Sequence, residues 1–526
     1  MTCEGFGRIK HQNRMRYALQ IGLFFTLFVC AGAQPSIQWQ RCFGGSEADE
    51  ALSIKQANDG SLVVAGSALS ANGGVTNNKG VTDFWAIKVD KSGNLIWQKT
   101  YGGTNHDRCY SSDLTDNGGV VLAGQSSSNN INVSGNHGDI DGWVVKLDSV
   151  GAIQWQKCLG GSSWDEIWSV QYTTDGGYVA AGRTASSDGD VVGHHGSFDY
   201  WVVKLSSSGT IEWQRSLGGS LLDIGYVVKQ AHDGGYIVAG ESNSVDGDCS
   251  GLHGSTDLWV VKLSPEGELE WQKMLGGSSL DWAFDVSITL DGGYAILGQI
   301  GWNDGDISEY FGGFDIWLVK INSEGEIEWE KTFGGSGDDY IGAILEIDNG
   351  GYIVAGATQS IDGHAIGNDG GQDLWVFKVD SIGSLLWQKT LGGSQGEWAS
   401  SLTETLDGGL AIAGYARSNN GDVSGNHGST DFWIVKLAPE TSSTTTPTAI
   451  PLNLYPNPAQ NWFRLNLPIT ESDMHISIID AQGRVVLAKT IRSDERLDIS
   501  ALEPGVYSVT ALARSGQVYA GKLVKN

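Results

Sequence analysis

Between Ile167 and Ser216 the apolar positions fall into four short runs, each closed by a polar or glycine-rich break. "IWSVQYT" ends at Asp175-Gly176-Gly177, "YVAAG" from Tyr178 runs into a long polar loop, "YWVVKL" from Tyr200 ends at "SSSG", and "TIEWQRS" completes the set. Runs this short, rich in Val, Ile, Tyr and Trp and bounded by turn residues, predict strands. Asp-Gly-Gly predicts a tight hairpin, because glycine takes positive φ without strain.

The set recurs. The Trp of a Trp-Gln or Trp-Glu word stands at 39, 97, 155, 213, 271, 329 and 387, every step being 58 residues. The Trp of an Asp-x-Trp-x-x-Lys word stands at 85, 143, 201, 259, 317, 375 and 433, again at constant steps of 58. Four antiparallel strands in each of seven copies predict an all-β, seven-bladed β-propeller over residues 34–437. A solenoid of the same units is the alternative. The ends of the array favour a ring: "SIQWQRCFGG" is a fourth strand with no unit before it, and the last copy stops after its third strand, "DFWIVKL" (Asp431 to Leu437). The first strand can complete the last unit and leave no open edge, whereas a solenoid needs polar caps.

Residues present in every copy read as scaffold. These are Gly-Gly followed by Ser or Thr, as at Gly218 to Ser220, and Asp199, Trp201 and Lys204 with their equivalents. Fourteen of the 20 tryptophans occupy the two repeat slots, which suits packing between units.

Charge and the chain's first segment bound the location. Arg8, Lys10, Arg14 and Arg16, the apolar "ALQIGLFFTLFVC" and the small residues to Ala33 predict a signal peptide over residues 1–33, cut between Ala33 and Gln34. The formal charge of -28 becomes -31 without that segment, which argues against nucleic acid or anionic lipid as partner. No later stretch is long enough and apolar enough to cross a bilayer. Cys42, Cys109, Cys158 and Cys249 show no disulfide framework.

Candidate chemistry belongs to the face that carries the Gly-Gly-Ser-x-x-Asp turns and the long loops. One ring of acids comprises Asp49, Asp107, Asp165, Asp223, Asp281, Asp339 and Glu397, and the loops add Asp188/Asp190, Asp246/Asp248 and Asp304/Asp306. Carboxylates so spaced beside glycine either hold calcium or serve as turn and inter-unit hydrogen-bond acceptors. His137, His195, His253 and His427 share a slot with Lys79, Phe311 and Asp369, a tolerance that argues against metal or acid–base work. No catalytic motif stands in the chain.

Positions that differ between copies carry more information. After the ring acid the series reads Glu50, Arg108, Glu166, Ile224, Trp282, Tyr340, Trp398; two residues on it reads Leu52, Tyr110, Trp168, Tyr226, Phe284, Gly342, Ser400. Trp164, Trp168, Tyr226, Trp282, Phe284, Tyr340 and Trp398 are therefore the candidate ligand residues, near the start of the inner strand and the channel mouth. They either stack on a sugar or grip a peptide, or else fill the channel as core.

Beyond a Ser/Thr/Pro linker at 438–450, residues 451–526 show strand alternation expected of a small β-sandwich. "LNLYPNPAQNWFRLNLP" (Leu452 to Pro468), "IIDAQGRVV" (Ile478 to Val486), "LEPGVYSVT" (Leu502 to Thr510) and "GKLVKN" resemble the type A C-terminal sorting domain of the type IX secretion system, with Tyr455, Pro456, Asn457, Pro458, Gly505, Val506 and Tyr507 carrying the motif. The resemblance implies a Gram-negative source, the secretion machinery as partner, export across the outer membrane with removal of the domain, and a mature protein anchored at the surface through lipopolysaccharide or released. The chain thus reads as an exported binding protein for a polysaccharide or another surface protein. A carbohydrate-active enzyme with its site at the channel mouth, and a calcium-stabilised scaffold without a specific ligand, are the alternatives.

Overall fold

The computed structural model describes residues 34–347, 350–368, 370–440, 450–466, 474–479, 485–491, 496–513 and 518–526. The leader at 1–33, with Ala33, and most of the linker lie outside the described residues, as does Asp369. The chain divides into two compact units, Met1–Pro439 and Glu440–Asn526.

Among the described residues the first unit is all-β and propeller-like, with seven four-stranded antiparallel sheets. The third copy folds as read: Asp165–Tyr172, Tyr178–Thr184, Asp199–Leu205 and Ile211–Leu217 pair in that order. The inner strands of successive sheets are Asp49–Gln56, Asp107–Leu114, Asp165–Tyr172, Asp223–Gln230, Trp282–Ile288, Asp339–Glu346 and Glu397–Glu404. Six sheets take their outer strand from their own copy. The seventh takes Ile37–Phe43, which pairs with Asp431–Leu437 from Ile37↔Leu437 to Phe43↔Phe432.

Each sheet packs face to face on the next through branched and aromatic side chains. Val227, Ile237, Leu258 and Val260 of the fourth sheet meet Ala283, Val286, Ile296 and Trp317 of the fifth. Ala51, Ile54, Val64 and Trp85 of the first sheet meet Ala411, Ala413, Phe432 and Ile434 of the seventh in the same way. The Trp of each Asp-x-Trp word is fully buried. Its indole N–H must find an acceptor there, and the Gln or Glu of the neighbouring Trp-Gln/Glu word supplies it: Trp201 Nε1 donates to Gln214 Oε1 at 2.9 Å, Trp317 to Glu330 Oε2 at 2.8 Å, and Trp433 to Gln40 Oε1 at 2.9 Å. The two repeated words are thus halves of one contact.

The Gly-Gly turns carry the chain from one sheet to the next, and the ring acids pin them. Gly45 N donates to Asp49 Oδ2 at 2.8 Å, and the equivalent bond recurs at all seven turns at 2.7 to 2.8 Å, with Glu397 serving in the seventh sheet. Hydroxyls such as Ser128 and Ser244 fill further lone pairs of the same buried carboxylates. The amide of each ring acid crosses to the preceding sheet; Asp223 N donates to Phe198 O and Asp49 N to Thr430 O, both at 2.7 Å.

The Asp of each Asp-x-Trp word lies opposite its ring acid across the first glycine of the turn. A Cβ on Gly334 would stand 1.9 Å from Asp315 Oδ1 and 2.7 Å from Asp339 Oδ2, so no side chain fits. In four copies the histidine of the shared slot caps this second acid, as His195 Nδ1 does at 2.9 Å to Asp199 Oδ2, and the backbone N–H of that slot bonds it also where Lys79 or Phe311 stands.

Every sheet interface therefore buries two carboxylates. Oδ1 of Asp83, Asp281 and Asp315 accepts no hydrogen bond, and burial pushes these acids up to about 6, 6 and 7, with repulsion from Asp107, Asp257 and Asp339 adding to it. Such groups stabilise the fold when protonated; that contribution is complete below about pH 4 and lost as pH rises through 6 to 7. Asp175, Asp291 and Asp407 behave oppositely: against desolvation, side-chain hydrogen bonds from their lysine and threonine partners hold them down at about 2. Their contribution is present above about pH 4 and lost as pH falls through 2.

The second unit contains a five-stranded sheet, led by the parallel pair Ile450–Pro451 and Val518–Lys525, and a three-stranded sheet of Asn453–Tyr455, Trp462–Asn466 and Arg496–Asp498. Leu454, Phe463, Leu465, Ile476, Ile478, Leu497, Val509 and Leu523 fill the space between them.

Thermal unfolding followed from pH 7 to pH 4 should show Tm rising, and Asp315→Asn should raise Tm at pH 7 while flattening that slope. A wild-type Tm that falls steadily over the interval would contradict the burial argument.

Candidate functional site

Seven inner strands line one cavity of about 470 Å³. What they present to it is set by an irregularity common to all seven. In each, the register against the second strand slips by one residue, between Ala51 and Ser53, Cys109 and Ser111, Ile167 and Ser169, and at the equivalent points onward. The residue left unpaired is Leu52, Tyr110, Trp168, Tyr226, Phe284, Gly342 or Ser400, and every one of the seven lines the cavity. A β-bulge re-aims a side chain in this way.

The bulge requires a glycine opposite it. In the third sheet the Glu166 carbonyl is driven toward the second strand, so a Cβ on Gly182 would lie 1.8 Å from Glu166 O. Corresponding distances are 1.8 to 2.0 Å at Gly66, Gly124, Gly240, Gly356 and Gly414, whereas at Gly298 the carbonyl is 3.2 Å away.

Four consecutive bulges carry aromatics, and these touch in series. Tyr110 and Trp168 stack with centroids 4.3 Å apart and planes 6° from parallel. Trp168 meets Tyr226 edge-on at 5.4 Å, and Tyr226 meets Phe284 at 5.6 Å. A second pair, Tyr340 and Trp398, lies at 5.0 Å, with Tyr415 beyond Trp398 at 6.4 Å and nearly parallel. Polar partners fix the rings: Trp168 Nε1 donates to Glu166 Oε2 at 3.2 Å, Arg183 Nε to the same oxygen at 2.7 Å, and the Tyr226 hydroxyl to Glu241 Oε1 at 2.7 Å. Burial pushes the Tyr226 hydroxyl and the Glu241 carboxyl above their ordinary ranges.

Of the seven aromatics singled out from sequence, Trp168, Tyr226, Phe284 and Trp398 line the cavity, and Phe284 is 38% exposed. Trp164, Trp282 and Tyr340 stand outside it. Trp164, 41% exposed, packs edge-on to Phe198 beneath the Arg183 guanidinium, which is 5.2 Å from its ring centre. Trp282 packs on Phe314 at 5.5 Å, and Tyr340 leans on Trp398. Sequence reasoning left out Tyr110, which belongs to the same bulge series, and Tyr415, on a second strand.

Below the bulge the polar channel residues join neighbouring inner strands. Ser111 Oγ accepts from Val170 N at 3.2 Å, Ser169 Oγ from Val228 N at 3.2 Å and Asp285 Oδ2 from Ile344 N at 3.0 Å. Two residues further down, Asp113 accepts from Tyr172 N at 2.9 Å, Gln171 from Gln230 N at 2.6 Å and Ser287 from Glu346 N at 3.1 Å. Ser401 Oγ of the seventh sheet accepts from Ile54 N of the first at 3.1 Å. These bonds satisfy inner-edge amides that would otherwise lack partners.

The loop carboxylates likewise serve the turns. Asp188, Asp246 and Asp304 accept from the amides of Ser162, Ser220 and Ser278 at 2.6 to 2.7 Å. Among the described residues no group of three or more His, Cys, Asp or Glu is arranged to hold a metal ion.

In the second unit the Tyr455-to-Pro458 segment is pinned to the last strand: Asn457 Nδ2 donates to Lys522 O at 2.6 Å and Asn457 Oδ1 accepts from Val524 N at 2.8 Å. The Tyr507 hydroxyl donates to Glu503 O at 2.7 Å, closing the turn before Gly505 and Val506. Residues 453–526 match the family described as the secretion system C-terminal sorting domain. The C-terminal unit is a type IX secretion sorting domain. The sorting domain marks the chain as a type IX substrate, and no helix among the described residues is long and apolar enough to cross a membrane.

The chain is similar to the regulatory protein FlaEY of Caulobacter vibrioides, 23% identical over 305 residues, with 52% of this chain and 32% of that protein covered. The chain thus spans about a third of the length of that curated relative. Among solved structures it is similar to a protein of unknown function from Dyadobacter fermentans (11% identity, TM-score 0.40, 77% of this chain and 98% of that one). It is also similar to the Pan2 WD40 domain of Neurospora crassa (11% identity, TM-score 0.41, 73% and 88%).

Gly182→Ala should force the third bulge apart and cost on the order of 3 kcal/mol, read from the denaturant midpoint. Gly298→Ala, with no carbonyl within 3 Å of the new methyl, should cost clearly less. Equal losses at the two positions would separate the glycine from the bulge.

Proposed function

We propose that this chain is an exported, seven-bladed propeller that binds a saccharide on the aromatic wall of its channel, delivered to the cell surface or beyond by its sorting domain and a leader at residues 1–33. The observation that carries the reading is the contiguous series Tyr110, Trp168, Tyr226 and Phe284, held on four consecutive bulges beside a cavity of about 470 Å³. That volume falls in the range of small-ligand sites, and a contiguous series of partly buried aromatic rings suits sugar rings. Binding is favoured over hydrolysis because the carboxylates beside the aromatics are already engaged, Glu166 by Arg183 and Trp168, Glu241 by Tyr226. The closed ring draws its support from the strand Ile37–Phe43 in the seventh sheet and from the Asp49–Thr430 and Ile54–Ser401 bonds between first and seventh sheets.

Two experiments bear on this. On a glycan array the wild-type chain should retain a defined set of saccharides, and Trp168→Ala and Phe284→Ala should each weaken retention about tenfold, the value of one aromatic contact. Retention unchanged in both variants would remove the channel wall from the reading. Deleting Ile37–Phe43 should expose the edge of Asp431–Leu437 and produce concentration-dependent aggregates in light scattering that the wild type does not form; a deletion that scatters as the wild type does would argue against the closed ring.

A further inference from the structure

The position six residues after the ring acid holds Lys55, Asp113, Gln171, Lys229, Ser287, Leu345 and Thr403 along the seven inner strands. Where it is Asp, Gln or Ser it accepts the edge amide of the next strand. Lysine has no acceptor and cannot do this. The amide that Lys55 would serve, Leu114 N, turns instead to the carboxylate of its own neighbour Asp113 at 3.0 Å. Lys55 and Lys229 are thereby released from the repeat's structural task, and both line the cavity.

Among the described residues, neither ammonium is engaged by a carboxylate at hydrogen-bond distance. Lys229 Nζ comes no nearer than 4.0 Å to Asp285 Oδ1. The two acids of this region, Asp285 and Asp113, each accept a backbone amide at both oxygens: Val286 and Ile344 for the first, Leu114 and Tyr172 for the second. Burial, with the nearby Lys229 charge next, lowers the pKa of Lys55 against the opposing charges of Asp113 and Asp285. Two ammonium groups with six N–H donors thus face a shared space in a chain whose formal net charge is -28. Each lysine stands three positions below a bulge residue, Lys229 below Tyr226 and Lys55 below Leu52, about 10 Å along the strand at ~3.3 Å per residue.

We infer that the ligand of the channel is an anionic saccharide, whose rings lie on the aromatic series while a carboxylate or sulfate is held between Lys55 and Lys229. This rests on the saccharide reading of the channel wall and adds the charge of the ligand. A bound anion would accept hydrogen bonds from the two ammonium groups and neutralise part of their charge.

Isothermal titration of the full chain at low salt with trigalacturonate, with a sulfated tetrasaccharide of carrageenan type and with maltotriose tests it. At least one acidic probe should bind about tenfold or more tightly than maltotriose, the stronger of the two naming the group as carboxylate or sulfate. Lys55→Gln with Lys229→Gln should bring that probe down to the maltotriose level, and Lys55→Arg with Lys229→Arg should keep the preference, with circular dichroism showing that both variants fold. Maltotriose bound as tightly as either acid would overturn the anionic assignment and leave the saccharide reading standing. Absence of binding by all three probes, with the glycan array also blank, would overturn both.

Discussion

The hydrogen bond from a Gly-Gly turn to a buried carboxylate is what the rest of the first unit depends on. Each turn passes from the outer strand of one sheet to the inner strand of the next, and the ring acid fixes where it lands. Its amide ties the same point to the preceding sheet. Because a second aspartate stands across the first glycine, the turn has room for hydrogen at Cα and nothing larger. The recurrence of Gly-Gly-Ser/Thr follows from that geometry. The arrangement concentrates negative charge inside the protein, and the raised pKa values of Asp83, Asp281 and Asp315 register the cost.

Upon this fixed frame the inner strands divide their positions between holding the sheets together and facing the cavity. The bulge makes the division possible. Above it the strand keeps its regular alternation; at it, one residue is ejected from the ladder and freed from pairing. A freed position can vary from copy to copy without disturbing the frame, and Leu52, Trp168 and Gly342 show how widely it does. Below it, small polar residues stitch neighbouring strands, and beside Lys55 the edge amide of Leu114 turns to Asp113 instead.

Much of this was legible in the sequence and some could not be. Seven copies at constant spacing foretold the strands, their hairpins and the scaffold role of Asp-x-Trp, because each repeated residue meets the same neighbour seven times. Variation between copies pointed to the aromatic positions for the complementary reason. What the pattern concealed was the bulge. In a regular strand the first and third residues after the ring acid share a face, so Trp282 and Phe284 were equal candidates. The extra residue breaks that equivalence, sending Phe284 toward the cavity and Trp282 against Phe314. It also shifts the phase of the strand residues beyond it, which is why Lys55 and Lys229 escaped notice. The glycine facing each bulge, Gly182 and its equivalents, was the available signal, since a glycine recurring inside an apolar strand marks close backbone approach.

The pairing of Ile37–Phe43 with Asp431–Leu437 has a consequence in time. Its contacts join residues some 400 positions apart, Ile37 with Leu437, so the earliest strand of the repeat array must wait for the latest before it has a partner. Loop closure on that scale is slow compared with the hairpins inside each copy. A chain emerging in order therefore carries six complete sheets and one unfinished one until its repeat region is whole. The sorting domain comes after that point in sequence, so the address for export is completed only after the last strand of the body it addresses.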